Sequence, residues 1–310
     1  DPVSGDPKIQ GGPDFECVSN IVNALERESL KTTHLINFGG FGARQIDTSM
    51  APAAILSEFK EWNRKVVSRP QMHFDGFDGI DWAIEAGPFN STSQQTSTVS
   101  VGLLDLVGRT SQLAKREGWV VTMNAWMSSL DPTTPQFNRQ FGDAPGQAHN
   151  SHAYLLAAYD TTTTKDKHRV QTFDFVSVSL FEPHSLALQA IMEKEISPRD
   201  YLAKLVNDLT NGWVVQFSAD PFIGIGDKTV RLHQSQVVLG VANGWAGKDS
   251  ILYVQPSRLK VAYDRMERKK LHPRGFMFWG IGQEGLIPPG HHKPVYMAKE
   301  LNSIMGVRWW

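Results

Sequence analysis

The chain has 310 residues, and 41% of them are hydrophobic, which is ample for the core of one large domain. Its formal net charge of −1 gives no electrostatic reason to expect nucleic acid or an anionic membrane as a partner. The single cysteine, Cys17, excludes an internal disulfide framework, and no apolar run approaches the roughly 20 residues of a membrane-spanning helix.

The elements predicted in chain order alternate between helices and strands. Residues 1–16 are rich in Gly, Pro and Asp and are expected to be an irregular lead-in. Strands are predicted over residues 34–38, 77–85, 119–123, 173–180, 213–217, 237–241 and 276–279. Helical patterns occupy residues 18–25, 55–66, 103–114 and 295–305, and Ser197-Pro198 is typical of a helix start. The alternation predicts an α/β fold in a single domain over residues 1–310.

The segment Phe77–Glu85 is the most informative in the chain. It begins Phe-Asp-Gly-Ile-Asp and continues Trp-Ala-Ile-Glu. Since successive side chains of a strand point to opposite faces, Asp81, Ala83 and Glu85 share one face, while the apolar Ile80, Trp82 and Ile84 share the other. Barrel enzymes have their catalytic residues at the C-terminal ends of their parallel strands, and a carboxylic acid at such an end is a candidate catalytic residue.

This segment resembles the Asp-Gly-x-Asp-x-Asp-x-Glu signature of family 18 glycoside hydrolases, the chitinases and their relatives. Asp78, Gly79, Asp81 and Glu85 match the signature, and Ala83 stands where its third Asp belongs. The resemblance implies that Glu85 is the general acid for cleavage next to N-acetylglucosamine, with Asp81 and Asp78 in the same catalytic group. It also implies that Ala83 is a lost stabiliser of the substrate's own acetamido nucleophile. Loss of one such preorganised partner typically lowers the rate by roughly 10²–10³.

The resemblance extends over residues 18–306 and implies a TIM-type (β/α)8 barrel. Residues 35–40 are similar to the family's third-strand motif, with Asn37 where Ser is usual. Trp279 ends a segment similar to the eighth strand, where the family places a Trp under the sugar. Phe181 stands where the family usually has a Tyr that contacts the acetamido group. Trp126 and Trp245 follow the segments similar to the fifth and seventh strands, and they are further candidates for substrate binding.

The barrel is expected to be incomplete or atypical at its N-terminus. The family's third-strand motif already begins at residue 35, and too few residues precede it for two βα units. The first two strands are therefore removed, supplied by a partner chain or an oligomer, or replaced by something irregular. Exposed strand edges are normally covered, so a covering partner is one of the expectations.

The resulting hypothesis is a chitinase-like protein that recognises chitin or N-acetylglucosamine-containing glycans with weak or no hydrolysis. Two alternatives stay open: an active hydrolase that uses Glu85 as acid, and a structural or self-assembling protein that reuses the barrel. In the hydrolase, Asp81 or another group would replace the missing Asp. Tyr253 and Tyr159 are candidates to supply, from elsewhere in the chain, the hydroxyl that Phe181 lacks.

No cofactor and no metal are expected. His149, His152 and Asp160 have a loose metal-like spacing that is more typical of a polar loop. A secretory location is expected, although the single cysteine also fits a cytosolic protein. The start at Asp1 rather than Met indicates processing or trimming, and Asn90-Ser91-Thr92 is an acceptor for glycosylation only in a secretory context.

Overall fold

One curled parallel sheet organises the protein. The computed structural model describes residues 12–40, 46–84, 97–141, 149–182, 185–244, 246, 251–288 and 291–306. In this part of the chain, six strands pair in sequence order, and each is parallel to the next. They are β1 (Leu35–Gly39), β2 (Gly79–Ala83), β3 (Val120–Trp126), β4 (Phe175–Ser179), β5 (Val237–Ala242) and β6 (Gly275–Trp279).

Helices lie between these strands, as in a (β/α) barrel. They are α1 (Phe15–Arg27), α2 (Pro52–Trp62), α3 (Val101–Arg116), α4 (Ala153–Tyr159), α5 (Pro198–Asn211), α6 (Pro256–Arg268) and α7 (Met297–Met305). A short helix, Leu186–Leu188, continues as the π-helical turn Gln189–Glu193, and α2 continues as Asn63–Val67. Single 3-10 turns occupy Pro70–Met72, Met127–Leu130, Phe217–Ala219, Gln234–Gln236 and Ile281–Gln283. Three two-stranded antiparallel ribbons pair Ser97–Thr98 with Gln140–Phe141, Thr161–Thr163 with Arg169–Gln171, and Trp213–Val215 with Lys228–Val230.

Local signals set the helix starts. Asp14 accepts hydrogen bonds from the first-turn amides of α1, and Ser100 does the same for α3. Ser197 caps α5 and Pro198 occupies its first position, which confirms the helix start predicted from this pair. The helices α4 and α6 were not predicted from the sequence, and neither has a side chain that caps its start.

The core lies between the sheet and the helices. Ile80 and Trp82 on β2 are each 1% exposed, and the outward side chains of β3, β4 and β5 are buried with them. Gly79 is required at the start of β2, because a Cβ atom there would lie 1.9 Å from the carbonyl oxygen of Val120. The glycine of the Asp-Gly-Ile-Asp segment therefore allows β2 and β3 to approach each other.

The barrel is incomplete, as the sequence predicted. Among the described residues, no strand lies between β6 and β1, so the sheet is a half-barrel with two edges. Every residue of β5 is buried, whereas no residue of β1 or β6 is. The ribbon strand Trp213–Val215 does not fill the gap: its antiparallel pairing with Lys228–Val230 places it outside the main sheet. No helix in the described part of the chain is long and apolar enough to span a membrane.

Candidate functional site

The C-terminal ends of the six strands form one end of the half-barrel, called the mouth below. Asp78 lies at the opposite end of β2, just before Gly79. Its carboxylate accepts a hydrogen bond of 2.7 Å from the backbone N–H of His34, and its own N–H donates to the His34 carbonyl. Asp78 thus joins the start of β2 to the chain that enters β1, and its place in the catalytic group stays a prediction.

Asp81 lies inside the half-barrel, level with Asn37 on β1 and Thr122 on β3. Asn37 Nδ2 donates to one carboxylate oxygen at 2.6 Å, and Thr122 Oγ1 donates to the other at 2.5 Å. Burial raises the pKa of Asp81, and these two hydrogen bonds oppose the rise. Both oxygens are therefore already engaged in linking three strands, and the structure brings the predicted residues Asn37 and Asp81 into direct contact.

Ala83 occupies the next inward position of β2, level with Gly39 and Asn124. Its carbonyl accepts a hydrogen bond of 2.9 Å from Gly40, and a Cβ atom on Gly39 would lie 2.1 Å from that carbonyl oxygen. The φ of Gly39 is +104°, which also favours glycine. The Gly39-Gly40 pair is therefore required for β1 to pass closely over the end of β2.

Neutral polar groups surround the position of Ala83. Asn124 is level with Ser177 on β4, and its side-chain oxygen accepts a 2.7 Å hydrogen bond from Ser179 Oγ. The sequence analysis missed these three residues, although the period of two along β3 and β4 could have found them. Glu85, the proposed acid, lies outside the described residues.

Two of the predicted aromatic residues stack on each other at the mouth. The rings of Phe181 and Trp279 have centroids 5.8 Å apart and an interplanar angle of 19°. Trp279 is 56% exposed, which is unusual for so large an apolar side chain. Trp126 ends β3 on the same side as Asn124 and packs partly against the core. Trp245 lies outside the described residues.

A buried carboxyl group, Glu182, follows Phe181 and faces the turn after β3. It is 5% exposed and accepts hydrogen bonds from the backbone amides of Met127 (3.0 Å) and Ser128 (3.3 Å). Burial, with a smaller contribution from the nearby carboxylate of Asp131, raises its pKa to about 8, although the two hydrogen bonds from backbone amides lower it. The sequence analysis assigned no role to Glu182, because an acid in a loop gives no signal that it will be buried.

The histidines with metal-like spacing do not gather at a site. His149 Nδ1 lies 3.4 Å from Asp131, whereas His152 is fully buried near Ser151 and Ile84, where burial lowers its pKa to about 4. Asp160 instead accepts from Gln236, beyond the other end of α4. No group of three metal-ligating side chains occurs among the residues that the structure describes.

The two tyrosines considered as substitutes for the missing hydroxyl have different surroundings. Tyr159 donates its hydroxyl proton to Asp105 on α3 at 2.7 Å, so it links the end of α4 to α3. The ring of Tyr253 packs edge-on against His291, and its buried hydroxyl has no hydrogen-bond partner within the described part of the chain. Neither contact brings a tyrosine hydroxyl to Ala83.

Comparison with known proteins gives a likeness in structure alone. No family model and no curated protein matches the chain. A GH18 chitinase from Pseudoalteromonas aurantia superposes with a TM-score of 0.50 at 11% identity, over 86% of this chain and 76% of that one. The fold is similar to that of a family 18 chitinase.

Two further solved structures have lower scores. An Ostrinia furnacalis Group IV chitinase gives a TM-score of 0.48 at 11% identity, over 94% of this chain and 85% of the other. A fungal endo-β-N-acetylglucosaminidase of the same family gives 0.47 at 13% identity, over 95% and 76%.

Proposed function

We propose that this protein binds chitin-like or N-acetylglucosamine-containing glycans at the mouth of the half-barrel, with weak or no hydrolysis. The observation that carries the proposal is the combination of the exposed Trp279, stacked on the half-buried Phe181, with a strand that resembles the catalytic signature but carries Ala83 in place of a carboxylate. The glycan class comes from the sequence resemblance and from the chitinase-like fold.

Weak hydrolysis is expected because the chain has fewer groups that could orient and stabilise the substrate's acetamido nucleophile. Ala83 has no charge, and its neighbour Asn124 across β3 is neutral. Asp81 is one inward position below it, with both oxygens held by Asn37 and Thr122. A shift of Asp81 toward the substrate would break both bonds and leave the buried hydroxyl of Thr122 unsatisfied, which costs about 1–3 kcal/mol, whereas the exposed Asn37 could bond to water instead. This argues against Asp81 as a substitute for the missing Asp.

Binding is expected because an exposed aromatic face is suited to a sugar ring. Trp279 is held from one side by stacking on Phe181, so its indole plane is oriented before a ligand arrives. Preorganised aromatic side chains lose little conformational entropy on binding and are common sources of binding energy. Phe181 supplies the stack but, unlike Tyr, has no hydroxyl for the acetamido oxygen.

Calorimetry with chitotetraose and a rate assay with a chromogenic chitobioside test the proposal together. We expect saturable binding and turnover far below that of an ordinary enzyme. Val261→Ala, which alters a half-exposed side chain on α6, serves as a control that should bind like the wild type. Turnover at ordinary enzyme rates would favour the hydrolase alternative, and absence of binding at millimolar ligand would favour a structural role.

A further inference from the structure

We propose that Glu182 is a positioning residue for Trp126 and Phe181, called the aromatic wall of the mouth below. Its carboxyl group holds the turn after Trp126 against the end of β4, a contact called the clamp. The role at a glycan site rests on the proposed function, but the clamp itself can be tested without a ligand. Glu182 follows Phe181 directly, and its two backbone partners, Met127 and Ser128, follow Trp126 directly. One side chain therefore joins the two segments that present aromatic rings.

The turn Met127–Leu130 needs a partner of this kind. Trp126 occupies its N-cap position, and an indole ring has a donor but no acceptor for the first amides. Glu182 supplies both acceptors from a different strand. The hydroxyl of Tyr201 on α5 contacts Met127 Sδ at 3.1 Å, so α5 also packs against this turn. The clamp is thus buried between β4, the turn and α5, and it acts on Trp126 and Phe181 through the backbone.

The ionisation of Glu182 changes the strength of the clamp. Hydrogen bonds from N–H groups to a carboxylate are roughly twice as strong as those to a neutral acceptor. The ionisable groups that face it are Asp131, whose negative charge opposes ionisation, and Tyr201, whose pKa is raised chiefly by burial. His149 contacts Asp131 from the far side, and His152 on the approach to α4 stays neutral at neutral pH. As the pH rises through about 8 and Glu182 ionises, its hydrogen bonds to the turn should strengthen and hold the aromatic wall more firmly in place.

The indole N–H signal of Trp126 in NMR spectra, assigned with Trp126→Phe, reports on the clamp in the free protein. We expect it to shift between pH 6 and 9.5 with a midpoint of about 8. The shift should be absent in Glu182→Gln and kept in Glu193→Gln, which changes an exposed glutamate further along the same connection. A signal that does not titrate in the wild type, or the same titration in Glu182→Gln, would overturn the proposal. The wild-type titration decides the matter even if Glu182→Gln fails to fold.

Chitotetraose affinity gives the second measurement. In the wild type it should rise about fivefold from pH 6.5 to 9, as expected when charge-assisted hydrogen bonds replace neutral ones, and it should stay flat in Glu182→Gln. Equal pH dependence in the two proteins would contradict the positioning role. If the wild type binds no chitotetraose, the proposed function fails while the indole titration still tests the clamp.

Discussion

Two substitutions of Asp81 test whether its hydrogen bonds hold the barrel interior together, because one keeps both hydrogen bonds and the other removes them. In Asp81→Asn, the side-chain oxygen can still accept from Asn37, and the new amide can donate to Thr122 Oγ1, which is free to act as acceptor. Both contacts survive and the buried charge is removed. We therefore expect the free energy of unfolding at pH 7 to stay within about 1 kcal/mol of the wild type.

Asp81→Ala removes both acceptors, which leaves the buried hydroxyl of Thr122 unsatisfied, while the exposed Asn37 can bond to water. With about 1–3 kcal/mol for one buried group, we expect the free energy of unfolding to fall by about that amount. Urea unfolding followed by tryptophan fluorescence measures both variants, and calorimetry with chitotetraose measures binding. If Asp81→Asn lost glycan affinity more than tenfold at unchanged stability, Asp81 would be a ligand contact and the structural role argued from its hydrogen bonds would be refuted.

Three further outcomes are expected. Ala83→Asp should raise the rate on a chromogenic chitobioside by up to roughly 10²-fold, since it restores a carboxylate at the position that the resemblance makes catalytic, and an unchanged rate would implicate a further defect such as Phe181. Trp279→Ala should weaken chitotetraose binding by more than about 1 kcal/mol in calorimetry, and equal affinity would remove it from the site. Burial raises the pKa of Glu182 to about 8 and that of Asp160 to about 7, so the unfolded chain releases these protons at lower pH than the folded protein does. The buried His152, whose pKa is lowered to about 4, opposes this loss up to about pH 6.5, so thermal stability should fall most clearly between pH 6.5 and 8 and then level off, and a rise between pH 6.5 and 8 would contradict both assignments.

Much of the fold could be predicted because the strands carry local signals. The period of two along β2 predicted that Ile80 and Trp82 would be buried and that Asp81 would lie on the opposite face, and the structure confirms this. The early third-strand motif also predicted the incomplete barrel. The pairing of the segment Trp213–Val215 was harder to predict, because an apolar run indicates a strand but does not identify the strand it pairs with. Pairing with Lys228–Val230 depends on a turn between them that has no strong sequence signal.

The site was less predictable, because its contacts join residues far apart in the chain. Asp78 is three residues from Asp81, yet it bonds to the chain that enters β1, whereas Asp81 lies in the middle of β2 and bonds to Asn37 and Thr122. Phe181 and Trp279 were each identified from the resemblance, but their mutual stacking depends on the curl of the whole sheet. Glu182 is buried by the turn after β3 and by α5, which sequence alone does not bring together.

A crystal structure obtained after a soak with chitotetraose tests most directly whether the mouth of this half-barrel is a glycan site without efficient hydrolysis. We predict a sugar ring stacked on Trp279, with the Phe181 stack retained and every glycosidic bond intact. A cleaved oligosaccharide at the mouth would contradict the weak hydrolysis. A mouth with no sugar bound, at a ligand concentration well above millimolar, would contradict glycan recognition itself.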